Sequence, residues 1–77
     1  MMIQADHELD LSGLSCPMPL LKTKQALNRM ESGKIILVRA TDPGSERDFH
    51  VFAAQSGISL LRMERGDGIF SYWLRKP

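Results

Sequence analysis

The chain contains a single cysteine, Cys16, and prolines follow it at positions 17 and 19. A proline at the first position of a helix loses nothing by lacking an amide donor, and its fixed φ suits helical backbone. We therefore expect a helix to begin at Pro17 and Cys16 to be its N-cap. The partial positive charge of a helix start stabilises a thiolate and lowers the pKa of a cysteine there. Each proline also restricts the residue before it, which stiffens the turn. The spacing predicts a reactive, accessible thiol.

The competing interpretation is a buried structural cysteine, since unpaired cysteine is among the most buried residue types. Cys16 precedes the apolar residues of the predicted helix rather than lying among them, which favours reactivity. Position alone leaves both interpretations open.

Composition argues against several other kinds of site. One cysteine in 77 residues cannot form an internal disulfide, a four-cysteine zinc site or a CxxC redox pair. His7 and His50 lack metal-ligand spacing, so we expect no metal site. A net charge of +1 disfavours tight nucleic-acid binding. No segment reaches the roughly 18 apolar residues of a membrane span or resembles a signal peptide, so we expect a reduced, cytoplasmic protein.

The hydrophobic pattern predicts six elements in the order strand, helix, strand, helix, strand, strand. They are a strand at 8–11, a helix from Pro17 to about Ser32, a strand at 34–41, a helix within 42–57, and strands at 58–65 and 69–76. Gly33 and Gly57 are placed to end the helices, and Gly-Asp-Gly at 66–68 signals a hairpin.

Strands that alternate with helices form right-handed parallel crossovers, so both helices are expected on one face of the sheet. We predict an α/β (α+β) fold, a βαβαββ two-layer sandwich with a mixed four-stranded sheet. One domain is expected over residues 1–77, with a disordered or variable start at about 1–6.

In such a fold both helices begin at the same sheet edge, where ligands of open α/β sheets gather. We therefore expect this edge, here called the rim, to carry Cys16 together with three residues at the entry to the second helix, Asp42, Arg47 and Asp48. Arg47 favours a thiolate or an anionic partner and the two aspartates oppose one, so the net effect on the thiol pKa stays open. Ser45 and Asp48 match a capping box, and either Asp42 or Ser45 is the cap.

On the last strand, alternation directs Phe70, Tyr72 and Leu74 toward the helices and Trp73 toward the open face. An exposed patch around Trp73 would bind a partner or a second copy. The alternative is a small cluster covered by long basic side chains.

The stretch LDLSGLSCPMPLLK at 9–22 resembles the signature of the TusA/SirA family of sulfur-carrier proteins. TDPGSERDF at 41–49 and YWLRK at 72–76 resemble that family's second-helix entry and last strand. The resemblance, from about Leu9 to Lys76, implies a fold like the C-terminal domain of translation initiation factor three.

Within the motif, Gly13, Pro17 and Pro19 support Cys16. Met18 stands where many relatives have a polar or acidic residue. This difference concerns which partner docks on the rim and leaves the sulfur chemistry untouched.

The resemblance also implies that Cys16 accepts a persulfide sulfur from a pyridoxal-phosphate cysteine desulfurase and relays it to an acceptor protein, in one branch toward tRNA 2-thiouridine. We expect a stoichiometric carrier without a cofactor of its own, monomeric when free, with no membrane and no direct nucleic-acid contact. Sulfur transfer needs one thiolate and no resolving thiol. The alternatives are a non-enzymatic protein- or RNA-binding module and a redox-sensing thiol.

Overall fold

The sheet is built around a parallel pair, β1 (His7–Leu11) and β2 (Ile35–Ala40), which helix α1 (Met18–Asn28) connects. The computed structural model describes residues 3–77. The first two residues of the expected variable start lie outside the described residues. Within that start, Asp6 donates its main-chain N–H to the Ile35 carbonyl at 2.8 Å, and its carboxylate accepts the Ile35 N–H at 2.9 Å.

Helix α2 (Ser45–Ser56) leads from β2 to β3 (Ser59–Gly66), and a hairpin returns the chain as β4 (Ile69–Arg75). Strand β4 lies between β2 and β3, antiparallel to both, so the sheet order is β1-β2-β4-β3. Asp67 and Gly68 have φ of 54° and 77°, the signature of a tight hairpin turn. The predicted mixed four-stranded α+β fold is confirmed.

The core fills the space between the sheet and the two helices. Its buried side chains come mainly from alternate positions of β2 and β4, which face the helices. They are Leu11, Leu27, Met30, Ile36, Val38, Ala40, Phe49, Tyr72 and Leu74. Of the inward-facing set predicted on the last strand, Tyr72 and Leu74 are fully buried and Phe70 is half-buried.

Helix α1 begins one residue later than predicted, at Met18, and Pro17 is its N-cap. The Met18 N–H donates to the Ser15 carbonyl at 2.9 Å. The first amide after Cys16 is therefore satisfied by the main chain of the preceding turn, and within residues 3–77 no side-chain cap hydrogen bond forms at this helix start. The prediction that Cys16 is the N-cap is wrong by one position.

Helix α1 also ends earlier than the predicted limit at Ser32. Arg29 and Met30 donate to carbonyls three residues back, each at 3.1 Å, which is the tighter 3₁₀ pattern of a closing turn. Gly33, with φ 85°, lies beyond this turn and donates its N–H to the Lys76 carbonyl at 2.7 Å. It therefore directs the chain into β2, and its prediction as the helix cap is wrong.

The start of α2 lacks the predicted capping box. Gly44 is the N-cap and no side-chain cap hydrogen bond forms, so neither Asp42 nor Ser45 caps the helix. The Asp42 carbonyl accepts the Ser45 N–H at 3.0 Å in the turn before α2. The Ser45 hydroxyl faces inward and shares a hydrogen bond of 2.8 Å with the Tyr72 hydroxyl. At the other end Gly57, with φ 78°, ends α2 as predicted.

The pair formed by Ser45 and Tyr72 fixes the start of α2 to the sheet. Both residues are buried, and the Tyr72 ring stacks on Phe49 with ring centroids 4.3 Å apart. Burial raises the pKa of Tyr72, so its hydroxyl stays protonated and available for the hydrogen bond. The first turn of α2 is thereby held against the core.

On the open face, Trp73 pairs with Leu37 of β2 and Arg62 of β3. The Arg62 guanidinium carbon lies 5.9 Å from the Trp73 ring centroid, within reach of a cation–π interaction, and Arg62 also forms an ion pair with Glu64. This arrangement matches the interpretation of a small cluster covered by a basic side chain.

Replacing Tyr72 with Phe should destabilise the fold by about 1–2 kcal/mol, because the buried Ser45 hydroxyl would lose its partner. Ser45→Ala should have a similar effect through the Tyr72 hydroxyl. Because both variants remove the same bond, the double variant should cost less than the sum of the two. Urea unfolding followed by circular dichroism measures each value. Strictly additive costs would contradict a direct interaction between the hydroxyls.

Candidate functional site

The loop between β1 and α1, which carries Cys16, is folded by a local hydrogen-bonded turn. The Asp10 carboxylate accepts the Ser12 N–H at 3.0 Å and the Ser12 hydroxyl at 2.6 Å, the pattern of an Asx turn. The hydrogen bonds from Ser12, with the nearby charge of Arg39, lower the pKa of Asp10. An ionised Asp10 therefore closes the chain tightly as it leaves β1.

A second set of bonds ties this loop to the loop between β2 and α2. Gly13 has φ 84°, a backbone conformation that glycine adopts without strain, and its N–H donates to the Thr41 hydroxyl at 2.8 Å. The Cys16 N–H donates to the Asp42 carboxylate at 3.3 Å. Because β1 and β2 are parallel neighbours, these two loops meet at one edge of the sheet.

The Cys16 side chain is exposed and reaches across to α2. Its Sγ lies 2.8 Å from Oδ2 of Asp48, with the thiol as donor and the carboxylate as acceptor. Gly44 leaves room for the Asp42 carboxylate that accepts the Cys16 N–H, since a Cβ at position 44 would lie 3.1 Å from the carboxylate oxygen. The thiol therefore lies at the junction of both loops and the first turn of α2.

The hydrogen bond to Asp48 is the main cause that raises the pKa of the Cys16 thiol, with desolvation and the negative charges of Asp48 and Asp42 acting in the same direction. The lowered pKa expected at a helix start is not found. The physical reason is that Cys16 precedes the N-cap and turns its sulfur toward carboxylates instead of the amides of α1.

The other predicted rim residues lie at different distances from the sulfur. Asp42 and Asp48 contact Cys16. Arg47 instead lines an open cleft between α1 and α2, next to Asp48. The full lining of this cleft is Leu20, Lys24, Arg47, Asp48, Val51, Phe52 and Gln55. Within it the Lys24 ammonium lies 5.3 Å from the Phe52 ring centroid.

The motif residues next to Cys16 divide between surface and core. Pro17 and Met18 are exposed, whereas Pro19 is buried and its carbonyl accepts the Thr23 hydroxyl at 2.8 Å. Pro19 therefore anchors the first turn of α1, and Pro17 and Met18 are available at the surface beside the thiol.

Among residues 3–77, no three His, Cys, Asp or Glu side chains are grouped closely enough to hold a metal ion. In the same range no helix combines the length and the hydropathy that crossing a membrane requires.

Sequence reasoning missed the residues that position the loop. The Asp10–Ser12 turn has a local signal, because Asp two residues before Ser is typical of an Asx turn. Thr41 has no such signal, since its partner Gly13 is 28 residues away in the chain. The direct contact of Asp48 with the sulfur likewise depends on how far α2 is rotated, which the sequence pattern does not specify.

Comparison with known proteins identifies relatives over almost the whole chain. The family model described as Sulfurtransferase TusA matches residues 7–76. The sulfur carrier protein TusA of Allochromatium vinosum is 47% identical over 75 residues, covering 97% of this chain and 99% of that protein. A putative sulfur carrier protein of Bacillus subtilis, YrkI, is 39% identical over 74 residues, covering 96% and 99% of the two chains.

Among solved structures, the SirA-like protein of Desulfitobacterium hafniense superposes with a TM-score of 0.76 at 23% identity, covering 90% of this chain and 95% of that one. At this identity the match supports the fold. The family model and the curated relatives together establish that the chain belongs to the TusA family of sulfur carrier proteins.

Proposed function

We propose that this protein carries sulfur as a persulfide on Cys16, accepting it from a cysteine desulfurase and passing it to an acceptor protein. The observation that carries this proposal is the exposed Cys16 thiol at the junction of two loops and α2. Membership of the TusA family supports it. We place this activity in the cytoplasm, where a lone thiol stays reduced.

The reaction is a thiol exchange that transfers the outer sulfur atom from one cysteine to another without net oxidation. The Cys16 thiolate attacks the outer sulfur of the donor persulfide, a new Sγ–S bond forms, and the donor's S–S bond breaks. The donor cysteine leaves as a thiolate and takes up the proton that Cys16 releases. Unloading repeats the step, with an acceptor thiolate attacking the outer sulfur and Cys16 as the leaving group.

The absence of a second cysteine in the chain suits a carrier. A neighbouring thiol would attack the Cys16 persulfide, release sulfide and form a disulfide. With one thiol, the loaded form persists until an external acceptor arrives. The chain itself therefore supplies no resolving step.

The immediate surroundings of Cys16 favour a stoichiometric carrier over an enzyme. The two carboxylates at the sulfur, Asp42 and Asp48, oppose formation of the thiolate. A partner that docks at the rim, beside exposed Met18, must therefore activate the thiol. We propose that donor and acceptor are both proteins that act on the free monomer, with the sulfur destined for tRNA 2-thiouridine.

A redox-sensing role fits the site less well. Oxidation to sulfenic acid depends on the thiolate, and the bond to Asp48 raises the pKa of the Cys16 thiol. The rim does not favour direct nucleic-acid binding, because the side chains that contact Cys16 there are carboxylates.

Incubating the protein with a cysteine desulfurase and cysteine should add one sulfur atom to the intact mass, because Cys16 accepts the outer sulfur of the enzyme's persulfide. The gain should disappear on reduction and be absent in Cys16→Ser. A failure to load with several different desulfurases, or loading of Cys16→Ser, would contradict the proposal.

The proposed destination of the sulfur has its own test. Deleting the gene for this chain should lower the 2-thiouridine content of tRNA, measured by nucleoside mass spectrometry. Restoring the wild-type gene should recover it and restoring Cys16→Ser should not. Unchanged 2-thiouridine would exclude this destination while leaving the carrier role intact.

Alkylation of Cys16 should be slow at neutral pH, because the raised pKa keeps the thiol protonated and only the thiolate reacts. A profile of iodoacetamide rate against pH should have its midpoint above the about 8.5 of an unperturbed cysteine. The same chain in concentrated urea is the matched control and should react with a midpoint near that ordinary value. A folded midpoint at or below the unfolded one would contradict the structure.

A further inference from the structure

The contact between Cys16 and Asp48 differs from the other hydrogen bonds at the rim because it requires the sulfur to be protonated. A thiol can donate its hydrogen to a carboxylate, but a thiolate and a carboxylate have no hydrogen to share. At 2.8 Å between Sγ and Oδ2, the contact therefore stabilises the protonated sulfur. Ionising Cys16 would place two negative charges at this distance.

The charges around the sulfur reinforce this preference. Asp48 contributes from the first turn of α2, and Asp42 contributes from the preceding loop. Two cations lie nearby in the cleft that Asp48 also borders, Lys24 from α1 and Arg47 from α2. The Lys24 ammonium lies 5.3 Å from the Phe52 ring centroid, whereas the charges of Asp48 and Asp42 raise the pKa of the thiol.

Asp48 can hold this position because the start of α2 is fixed to the core. Ser45, one turn earlier on α2, is bonded to the buried Tyr72 hydroxyl, and Phe49, the residue after Asp48, is fully buried against Tyr72. Asp48 is thus bracketed by two residues anchored in the core. Its carboxylate is presented to the sulfur by a rigid part of the fold, which is the property expected of a positioning residue.

We propose that Asp48 is a positioning residue that keeps the Cys16 sulfur protonated in the free carrier, so that sulfur exchange is suppressed until a partner draws the carboxylate away. The proposal rests on the sulfur-carrier function of Cys16 and adds its control. In the free protein, small disulfides and electrophiles meet a thiol of low reactivity. A docked partner that offers a basic side chain to Asp48 removes the acceptor and frees the sulfur to ionise.

The test compares the pH profile of Cys16 alkylation in the wild type, Asp48→Asn and Glu31→Gln. Asparagine keeps the size of the side chain and removes its charge, so the midpoint should fall and the rate at pH 7 should rise at least about threefold. Glu31→Gln removes the same charge beyond the opposite end of α1, and its profile should match the wild type. An unchanged midpoint in Asp48→Asn would overturn the proposal.

A second readout follows the exchange chemistry directly. At pH 7, Asp48→Asn should form a mixed disulfide with oxidised glutathione several-fold faster than the wild type, because exchange rate follows the thiolate fraction. Asp48→Ala should show the same increase if the asparagine variant folds poorly, and urea unfolding establishes which variants are folded. Equal exchange rates in folded variants and wild type would also overturn the proposal.

These experiments need no desulfurase, so their outcome is independent of the sulfur-loading test of the carrier function. If the wild type fails to load sulfur, the proposed function is wrong. If the wild type loads sulfur and Asp48→Asn keeps the wild-type pH profile, the carrier function stands and the role of Asp48 is wrong.

Discussion

The structure of the site depends on one constraint, the parallel pairing of β1 with β2. Parallel strands end at the same edge, so the loops that follow them are forced together. The bonds from Gly13 to Thr41 and from Cys16 to Asp42 then join these loops. An antiparallel arrangement of the same two strands would separate the cysteine from both aspartates by the length of the sheet.

The two sides of the Cys16–Asp48 contact are held by different means. On the α2 side, buried Tyr72 bonds to Ser45 and stacks on Phe49, so the helix start belongs to the core. On the cysteine side, hydrogen bonds from Gly13 and Cys16 join the two loops at the surface. Half-buried Leu14 packs against the core, and buried Pro19 anchors the first turn of α1. Cys16 therefore lies between two residues that reach the core, while its own side chain stays exposed.

Much of the architecture could be predicted from the sequence, because it depends on local patterns. Alternation on β4 separated Tyr72 and Leu74 from Trp73, and Gly57 marked the end of α2 by its need for a positive φ. The errors arose where tertiary contacts replace local ones. Gly33 was predicted to cap α1, but its N–H bonds to Lys76 at the far end of the chain.

Three members of the site could be predicted from the sequence, whereas the direction of the Cys16 pKa shift could not. Topology alone brings Cys16, Asp42 and Asp48 to one edge. Ser45 and Asp48 have the spacing of a capping box, yet one side chain faces the core and the other faces the sulfur. The contact with Asp48 is the main cause of the raised Cys16 pKa, and desolvation and the charge of Asp42 act in the same direction.

Loading must change the contact at the centre of the site. In the persulfide, Sγ is bonded to a second sulfur and no longer carries a hydrogen, so it cannot donate to Asp48. The 2.8 Å separation of Sγ and Oδ2 is that of a hydrogen bond and has no favourable interaction to maintain it once the donor is gone. The hydrogen bond from Sγ to Asp48 therefore belongs to the unloaded carrier alone.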